Sequence, residues 1–413
     1  MISQKDREII RNLAGQYAEL AVLESQKTVA KNWGRLNALD ATAKPTIMLD
    51  QLPWHELDIN GELTCQCQDA ALREIELPLR QTLYKYRHFK GDMVLPPFLT
   101  YPKVFTDSGN GITIGERTDE TGHEGAETHL FVDQFPDEAA LDKLHNCTIQ
   151  YDEMATRKQQ QLYQDLIGDI IPLRPSGVMI WAGLWDWIVF CRGAEKVLWS
   201  FYDEPELMHK LMKKLVSVYM NMVDQYEAQN LLQAGPGTIC HCMETYVDEN
   251  KWYDIDQNHI KTSDCWISGA AQIFSEISPA MHDEFEIEYM KPLYDRFGWV
   301  NYGCCDPLDK KIDIVSKLNT VRTISASPWT DVARQAQAMG NRYTMARKPN
   351  PAYVATGYPD IDAIKKEIRE TLAACTRSNT PVTFILKDIT TVNRRPQCLT
   401  EWYELVKAEI ENY

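Results

Sequence analysis

The fold class predicted for this chain is an α/β barrel of the (β/α)8 TIM type with a helical N-terminal extension, and three observations predict it. The last third alternates four short apolar runs with four amphipathic stretches on short connections, the pattern of parallel strands joined by crossover helices. Those runs are short, predominantly apolar and bounded by turn residues, as strands covered on both faces are. No Gly-x-Gly-x-x-Gly follows any run, which removes the main nucleotide-binding rival. Earlier segments can supply four more strands, which favours a closed barrel over a doubly wound sheet.

The strand-helix units are explicit. Trp299–Tyr302 precedes a helix over about 309–318, and Val321–Ser325 one over 331–339. Arg342–Ala346 precedes a helix over 361–376, and Val382–Leu386 one over 399–410. Upstream, the apolar run 177–182 reads as a buried strand and 187–201 as a helix. Pro205 then sits in the first turn of a long amphipathic helix reaching Asn230. At the start, Ile9, Ile10, Leu13, Tyr17, Leu20 and Leu23 recur at helical spacing over 4–25, and 71–86 repeats the pattern with Pro78 expected to kink or divide it. Residues 91–133 are rich in Gly and Pro and read as an irregular insertion or lid anchored by Phe98, Tyr101 and Phe105. The expected division is 1–90 helical extension, 91–133 insertion and 134–413 barrel.

Composition narrows the partners. A net charge of −16 argues against nucleic acid and anionic membranes, though a local basic pocket can still take an anionic substrate. The N-terminus is charged and lacks an apolar signal region, and no stretch approaches a membrane span. With 11 Cys, an odd number, the expected setting is a reducing cytoplasm with free thiols. A homodimer is the oligomer to test for.

In a parallel barrel the reactive groups stand just past the strands' C-terminal ends. There the chain has Gly303-Cys304-Cys305-Asp306-Pro307, then Ala326-Ser327-Pro328-Trp329, then Arg347-Lys348-Pro349-Asn350-Pro351, then Lys387-Asp388. Each alone could be a helix cap, as Asp306 and Asp388 could be; four together point to a site. Cys304 and Cys305 offer soft thiolates suited to zinc, but side-chain alternation lets only one face the pocket if the strand continues. Cys240-His241-Cys242 is a second ligand-rich run, with His241 as a nitrogen donor; incidental loop thiols are the plain alternative. Glu276 stands among apolar residues and is a candidate general acid or base. The acids after it, Asp283, Glu284, Glu286 and Glu288, read mostly as a solvated face.

Taken together these residues resemble a family. Trp187–Trp199 with Tyr202-Asp-Glu-Pro-Glu206, Ser278-Pro-Ala-Met-His-Asp-Glu-Phe285 with Lys291-Pro-Leu293, and Gly303-Cys-Cys-Asp306 are similar to segments of the uroporphyrinogen-decarboxylase superfamily. The match runs from about Trp181 to the C-terminus. The Arg-Gln-Ala-Gly-Arg motif of the true decarboxylases is missing, so the corrinoid-dependent methyltransferases are the better match. In that group zinc is held partly through a His-x-Cys motif; Cys304 falls on its Cys, and Tyr302 stands where its His would be. The Tyr302–Pro307, Lys348–Pro351 and Leu386–Asp388 motifs resemble the subgroup that demethylates methoxylated aromatics. That resemblance implies methyl transfer from a small methoxylated donor to a corrinoid carried by a separate protein. It implies a zinc held partly through Cys304; Cys305 and His241 are the further donors at hand, and if Cys305 cannot turn inward, Glu276 or His241 must complete the set. Tyr302, Lys348, Asn350 and Trp329, gathered at the strand ends, are the candidate substrate contacts. Lys387, Asp388, Asp306 and Glu276 are then the groups that stabilise the leaving oxygen or move its proton. A cofactor-independent decarboxylase and a non-catalytic binding barrel are the alternatives.

Overall fold

The computed structural model describes residues 2–58, 60–123, 126–235, 237–239, 243–246 and 255–413. Seven strands form its principal sheet: β1 (Thr46–Leu49), β2 (Ile180–Trp181), β3 (Trp266–Gly269), β4 (Trp299–Tyr302), β5 (Val321–Ala326), β6 (Thr344–Arg347) and β7 (Val382–Leu386). Their spatial order is β1-β7-β6-β5-β4-β3-β2, and every neighbouring pair is parallel. The first strand thus lies beside the last, and the sheet curls. No ladder joins β1 to β2 among the described residues; a single parallel bridge, Val178 to Leu232, extends the β2 side. The described architecture is a curled parallel half-barrel with helices around it.

The pleat sorts the side chains. Ile47, Val300, Ile324, Met345 and Phe384 are buried on one face, in one cluster with Ala336, Leu372 and Trp402 of the helices Val332–Met339, Ile361–Ser378 and Gln397–Glu411. On the other face Met48, Ile385, Ala346 and Trp266 belong to a smaller cluster with Trp33 and Leu36 of α2 (Glu24–Asn37). Between them on that second face lie the short polar side chains Thr46, Ser268, Asn301, Thr323, Thr344 and Thr383, all buried. Val300, Ile324, Met345 and Ile385 sit on four adjacent parallel strands and are fully buried, as the apolar runs predict.

Several elements depart from the sequence expectation. Thr46–Leu49, inside the stretch expected to be a helical extension, is β1; its four residues are too few to show a period of their own. The helical pattern of 4–25 is α1 (Gln4–Ala21), capped by the Ser3 hydroxyl on the Asp6 N–H, and the chain breaks before α2 begins at Glu24. Pro78 does not divide the helix Ala70–Phe89, whose buried stripe Leu72, Ile75, Leu79 and Leu83 holds it against α1 in one apolar cluster. Gly193, at φ 79°, splits the expected helix 187–201 into Leu184–Arg192 and Ala194–Asp203. The helix after β4 shrinks to Ile312–Val315.

Residues 91–133 contain short pairings. Leu99–Pro102 runs parallel to Leu173–Ser176, Phe105–Asp107 antiparallel to Ile149–Tyr151, and Glu116–His123 antiparallel to Ala126–Phe131. Phe98 and Tyr101 are buried; Phe105 packs edge-on to Tyr226 at 5.5 Å.

Phe384 is fully buried where β7 meets its covering helices. Phe384→Ala is expected to cost about 3–5 kcal/mol, the transfer term plus the cavity it leaves. Urea unfolding of both proteins measures it, and a loss under about 1 kcal/mol would mean that β7 is not packed as described.

Candidate functional site

Beyond β4 the chain turns at Gly303, whose φ of 90° belongs to the left-handed half of backbone space. A Cβ there would stand 2.5 Å from Leu308 Cδ1 and 3.0 Å from Ser325 Cβ, so the turn requires glycine twice over. It delivers Cys304 and Cys305 to the polar side of the sheet. Asp306 fixes the turn from within: its Oδ1 accepts the Cys304 N–H at 3.0 Å, while its Oδ2 is buried with no hydrogen-bond partner among the described residues. Ser325 of β5 donates to the Cys304 carbonyl at 2.7 Å and accepts from the Lys348 ammonium. Lys348 and Lys387 lie two residues beyond Ala346 and Ile385 and continue the inner face; both are buried.

The cluster closes on the thiols. Cys304 and Cys305 have their sulfurs 3.5 Å apart, and the Lys387 ammonium lies 3.2 Å from Cys305 Sγ while donating to Asp388. Asp388 Oδ2 is 3.4 Å from Cys305 Sγ, and Asp388 itself holds φ 56° on a non-glycine residue. Backbone strain of that kind persists only where the surroundings over-determine it, and it gathers at functional positions. The hydrogen bond from the neighbouring thiol, helped by Lys387, brings the Cys305 thiol down to about 7 against the effect of burial. The Cys304 thiol moves up, through that same hydrogen bond and through burial. Burial disfavours the charge of Lys387, yet the thiols and Asp388 outweigh it and its pKa rises. One thiolate held between a buried ammonium and a neighbouring S–H can act as a nucleophile or a soft ligand. The ammonium can hold an oxygen that develops negative charge.

The other expected residues lie elsewhere. Tyr302 falls on the helix-covered face, since Asn301 takes the inward position of the pleat; its hydroxyl donates to Glu286 at 2.9 Å and is 2.8 Å from His282 Nε2. Trp329 is 75% exposed. Asn350 caps the turn after β6 through the Ala352 N–H at 3.0 Å. Glu276 is exposed rather than inward, because Phe274 takes the buried position of that turn. His241, like Cys240 and Cys242, lies outside the described residues. Among the described residues no group of three His, Cys, Asp or Glu side chains is placed to hold a metal, so the two thiols alone do not make a zinc site.

Two features escaped the sequence. Glu286, read with its neighbours as solvated, is buried against Tyr302 and His282. Glu244 is buried too, and lines a cavity of about 590 Å³ that reaches Asp50, the residue after β1 whose N–H bonds to Leu386 of β7. Neither carries a sequence signal, because both stand in ordinary polar contexts.

Neither a family model nor a curated protein matches the sequence. Among solved structures, a methyltransferase from Methanosarcina mazei superposes on 91% of this chain and 98% of its own, with a TM-score of 0.49 at 10% identity.

Two pH responses follow. Alkylation of Cys305 by iodoacetamide should rise with pH through a midpoint near 7, where the thiolate forms, and Lys387→Met should move that midpoint upward; an unmoved midpoint would remove Lys387 from the cluster's electrostatics. Burial pushes the Glu244 carboxyl up to about 8, above the roughly 4.3 of an unfolded chain. Between those values the folded state keeps a proton that the unfolded state has lost, so stability falls as pH rises through that window and levels off above it. The full effect is on the order of 5 kcal/mol at most. Glu244→Gln should flatten it, read from urea midpoints at several pH values; an equal slope in both proteins would contradict the assignment.

Proposed function

We propose that this protein is the substrate-side methyltransferase of a corrinoid-dependent demethylation system, acting on a small methoxylated donor, with a closed (β/α)8 barrel as its functional frame. One observation carries the reading. The ends of β4, β5, β6 and β7 bring two thiols, two buried lysines and a strained aspartate to one place. The sequence resemblance described above supports it.

The chemical difficulty is the leaving group. As the O–CH3 bond breaks, its electron pair stays on the oxygen, which must be stabilised and then protonated. The Lys387 ammonium, itself buried and held by Asp388, stabilises that charge, and a fixed cation counts for more at a buried position than in bulk water. Lys387 also supplies the proton, and Asp388 stands at its side to return one from solvent. Lys348, locked by Ser325, adds a second positive charge beside Cys304. The corrinoid of a partner protein supplies the methyl acceptor when docked over the strand ends.

The proximity of two soft sulfurs favours a second form of this reading, in which Cys304, Cys305 and His241 hold a zinc ion. Metal analysis of the wild type and of His241→Ala decides between the forms. Near-stoichiometric zinc that is lost in the variant supports the zinc form, and under about a tenth of an equivalent in active wild type supports lysine alone.

The test is turnover of a panel of methoxyarenes and other methylated donors with a reduced corrinoid protein, following the demethylated product by chromatography. Lys387→Met should lower kcat by ~10²–10³-fold, the usual effect of removing a preorganised charge. No demethylated product from any donor would overturn the reading. Carbon dioxide release from an aryl carboxylate would replace it with decarboxylation.

A further inference from the structure

The cavity of about 590 Å³ beside β1 lies within the size range of small-molecule sites. Met48 and Asp50 form one wall, and the helix Ala70–Phe89 forms another through Ile75, Leu79 and Thr82. It meets the reactive cluster at Asp50. Met48 pairs in register with Ile385, and the Asp50 N–H bonds to the Leu386 carbonyl at 2.9 Å. Asp50 therefore stands beside Lys387 on the neighbouring strand, about 5 Å away from backbone to backbone. Glu244, on another wall, lies toward the strands' opposite ends. Its carbonyl accepts from Asn37 at 2.9 Å, and Leu36, next to Asn37, accepts from Thr344, which opens β6. The cavity thus runs inward from the reactive end.

Burial decides what Glu244 can offer there. It is only 2% exposed, and Oε1 accepts a single N–H, from Val94 at 3.2 Å. An ionised carboxylate so placed is costly, so the group holds its proton. The Val94 bond and Lys85 favour the charged form, and burial outweighs both. Oε2 takes no hydrogen bond from a described residue and is not sealed from the cavity that the side chain lines. With Oε1 occupied as an acceptor, the acid proton belongs on Oε2, where it offers a donor to the cavity. An O–H in such a place needs an acceptor. Asp50 and Glu74 give the rest of the described lining an acidic balance against Lys85.

We infer that this cavity is the donor pocket of the methyl-transfer site, and that Glu244 sets its specificity by donating a hydrogen bond to an uncharged acceptor oxygen of the donor molecule. The inference rests on the methyl-transfer reading for the identity of the occupant. The methoxyl end lies at Asp50 and Lys387, and the other end accepts the Glu244 O–H. A carboxylated donor would lose its hydration and bring one more acidic group beside Asp50 and Glu74. The pocket therefore takes neutral methoxylated molecules in preference to anionic ones.

The experiment is equilibrium dialysis of the purified full-length protein against three probes. They are 4-methoxyacetophenone, with a neutral carbonyl acceptor, 4-ethylanisole, without one, and 4-methoxybenzoate, an anion. The wild type should bind the ketone saturably and about tenfold more tightly than either of the others. Bound ketone should also slow the alkylation of Cys305 by iodoacetamide, because Cys305 lies against Lys387. Glu244→Met removes the donor and should bring the ketone and 4-ethylanisole to equal affinity, while Glu244→Gln keeps a donor and should keep the preference. Thr82→Trp fills the cavity from the helix Ala70–Phe89 and should abolish both binding and the protection of Cys305. Equal affinity of ketone and 4-ethylanisole in the wild type, equal or tighter binding of the benzoate, unprotected Cys305, or no saturable binding would each overturn the inference. Circular dichroism reports whether Glu244→Met is folded; if it is not, the wild-type comparison and Thr82→Trp decide the matter. None of these readings needs turnover. A ketone that binds as described but is never demethylated, with every other donor equally inert, would overturn the methyl-transfer reading alone.

Discussion

The alternation of side chains across one parallel sheet is the constraint on which this molecule depends. Each strand offers one set of residues to the helices and the other to the concave side, and a register slip of one would exchange them. On the helix side the sets are large and apolar: Ile47, Val300, Ile324, Phe384. On the concave side short polar side chains stand among Met48, Ile385 and Trp266, and one residue beyond the strands the set continues as Lys348 and Lys387. A lysine ammonium is rarely buried unless paired. Here both lysines are paired, one with Ser325 and one with Asp388, on a scaffold that the opposite face stabilises by hydrophobic burial.

The same alternation explains what the sequence could and could not reveal. The strands β4 to β7 are readable because each is a bounded apolar run followed by a helical period, and the strand-end motifs follow from them. Cys304, Cys305, Lys348, Lys387 and Asp388 were therefore reachable one residue at a time. Tyr302 was not, because the face it takes depends on where β4 ends and Gly303 turns. Glu286 looked like any acid on a helix until Tyr302 and His282 were brought against it from elements that are near in space. β1 was hidden for another reason: a threonine and three apolar residues between helices carry no period, and only β7 shows that they are a strand.

Electrostatics distinguishes the two faces as well. On the helix side, Tyr302, His282 and Glu286 share hydrogen bonds in full burial, and the hydroxyl of Tyr302 is pushed well up by burial and by Glu286. That network stays neutral at the tyrosine and fixes the end of β4. On the concave side the balance is reversed. Lys387 and the neighbouring S–H favour a thiolate at Cys305, half-buried beside an exposed aspartate. A rigid support under a polarised, partly open cluster is the arrangement that preorganised chemistry requires.

The pairing of β1 with β7 bears on how the chain comes to be folded at all. Thr46 lies opposite Thr383, so the contact joins residues 337 positions apart in the sequence. Closing so long a loop is entropically unfavourable, and folds dominated by such contacts form slowly. During synthesis β1 emerges before its partner and waits until β7 has left the ribosome. Lys387, one residue past β7, arrives with it. A chain cut before β7 therefore has an unpaired strand edge and lacks Lys387 and Asp388, which makes it a substrate for chaperones.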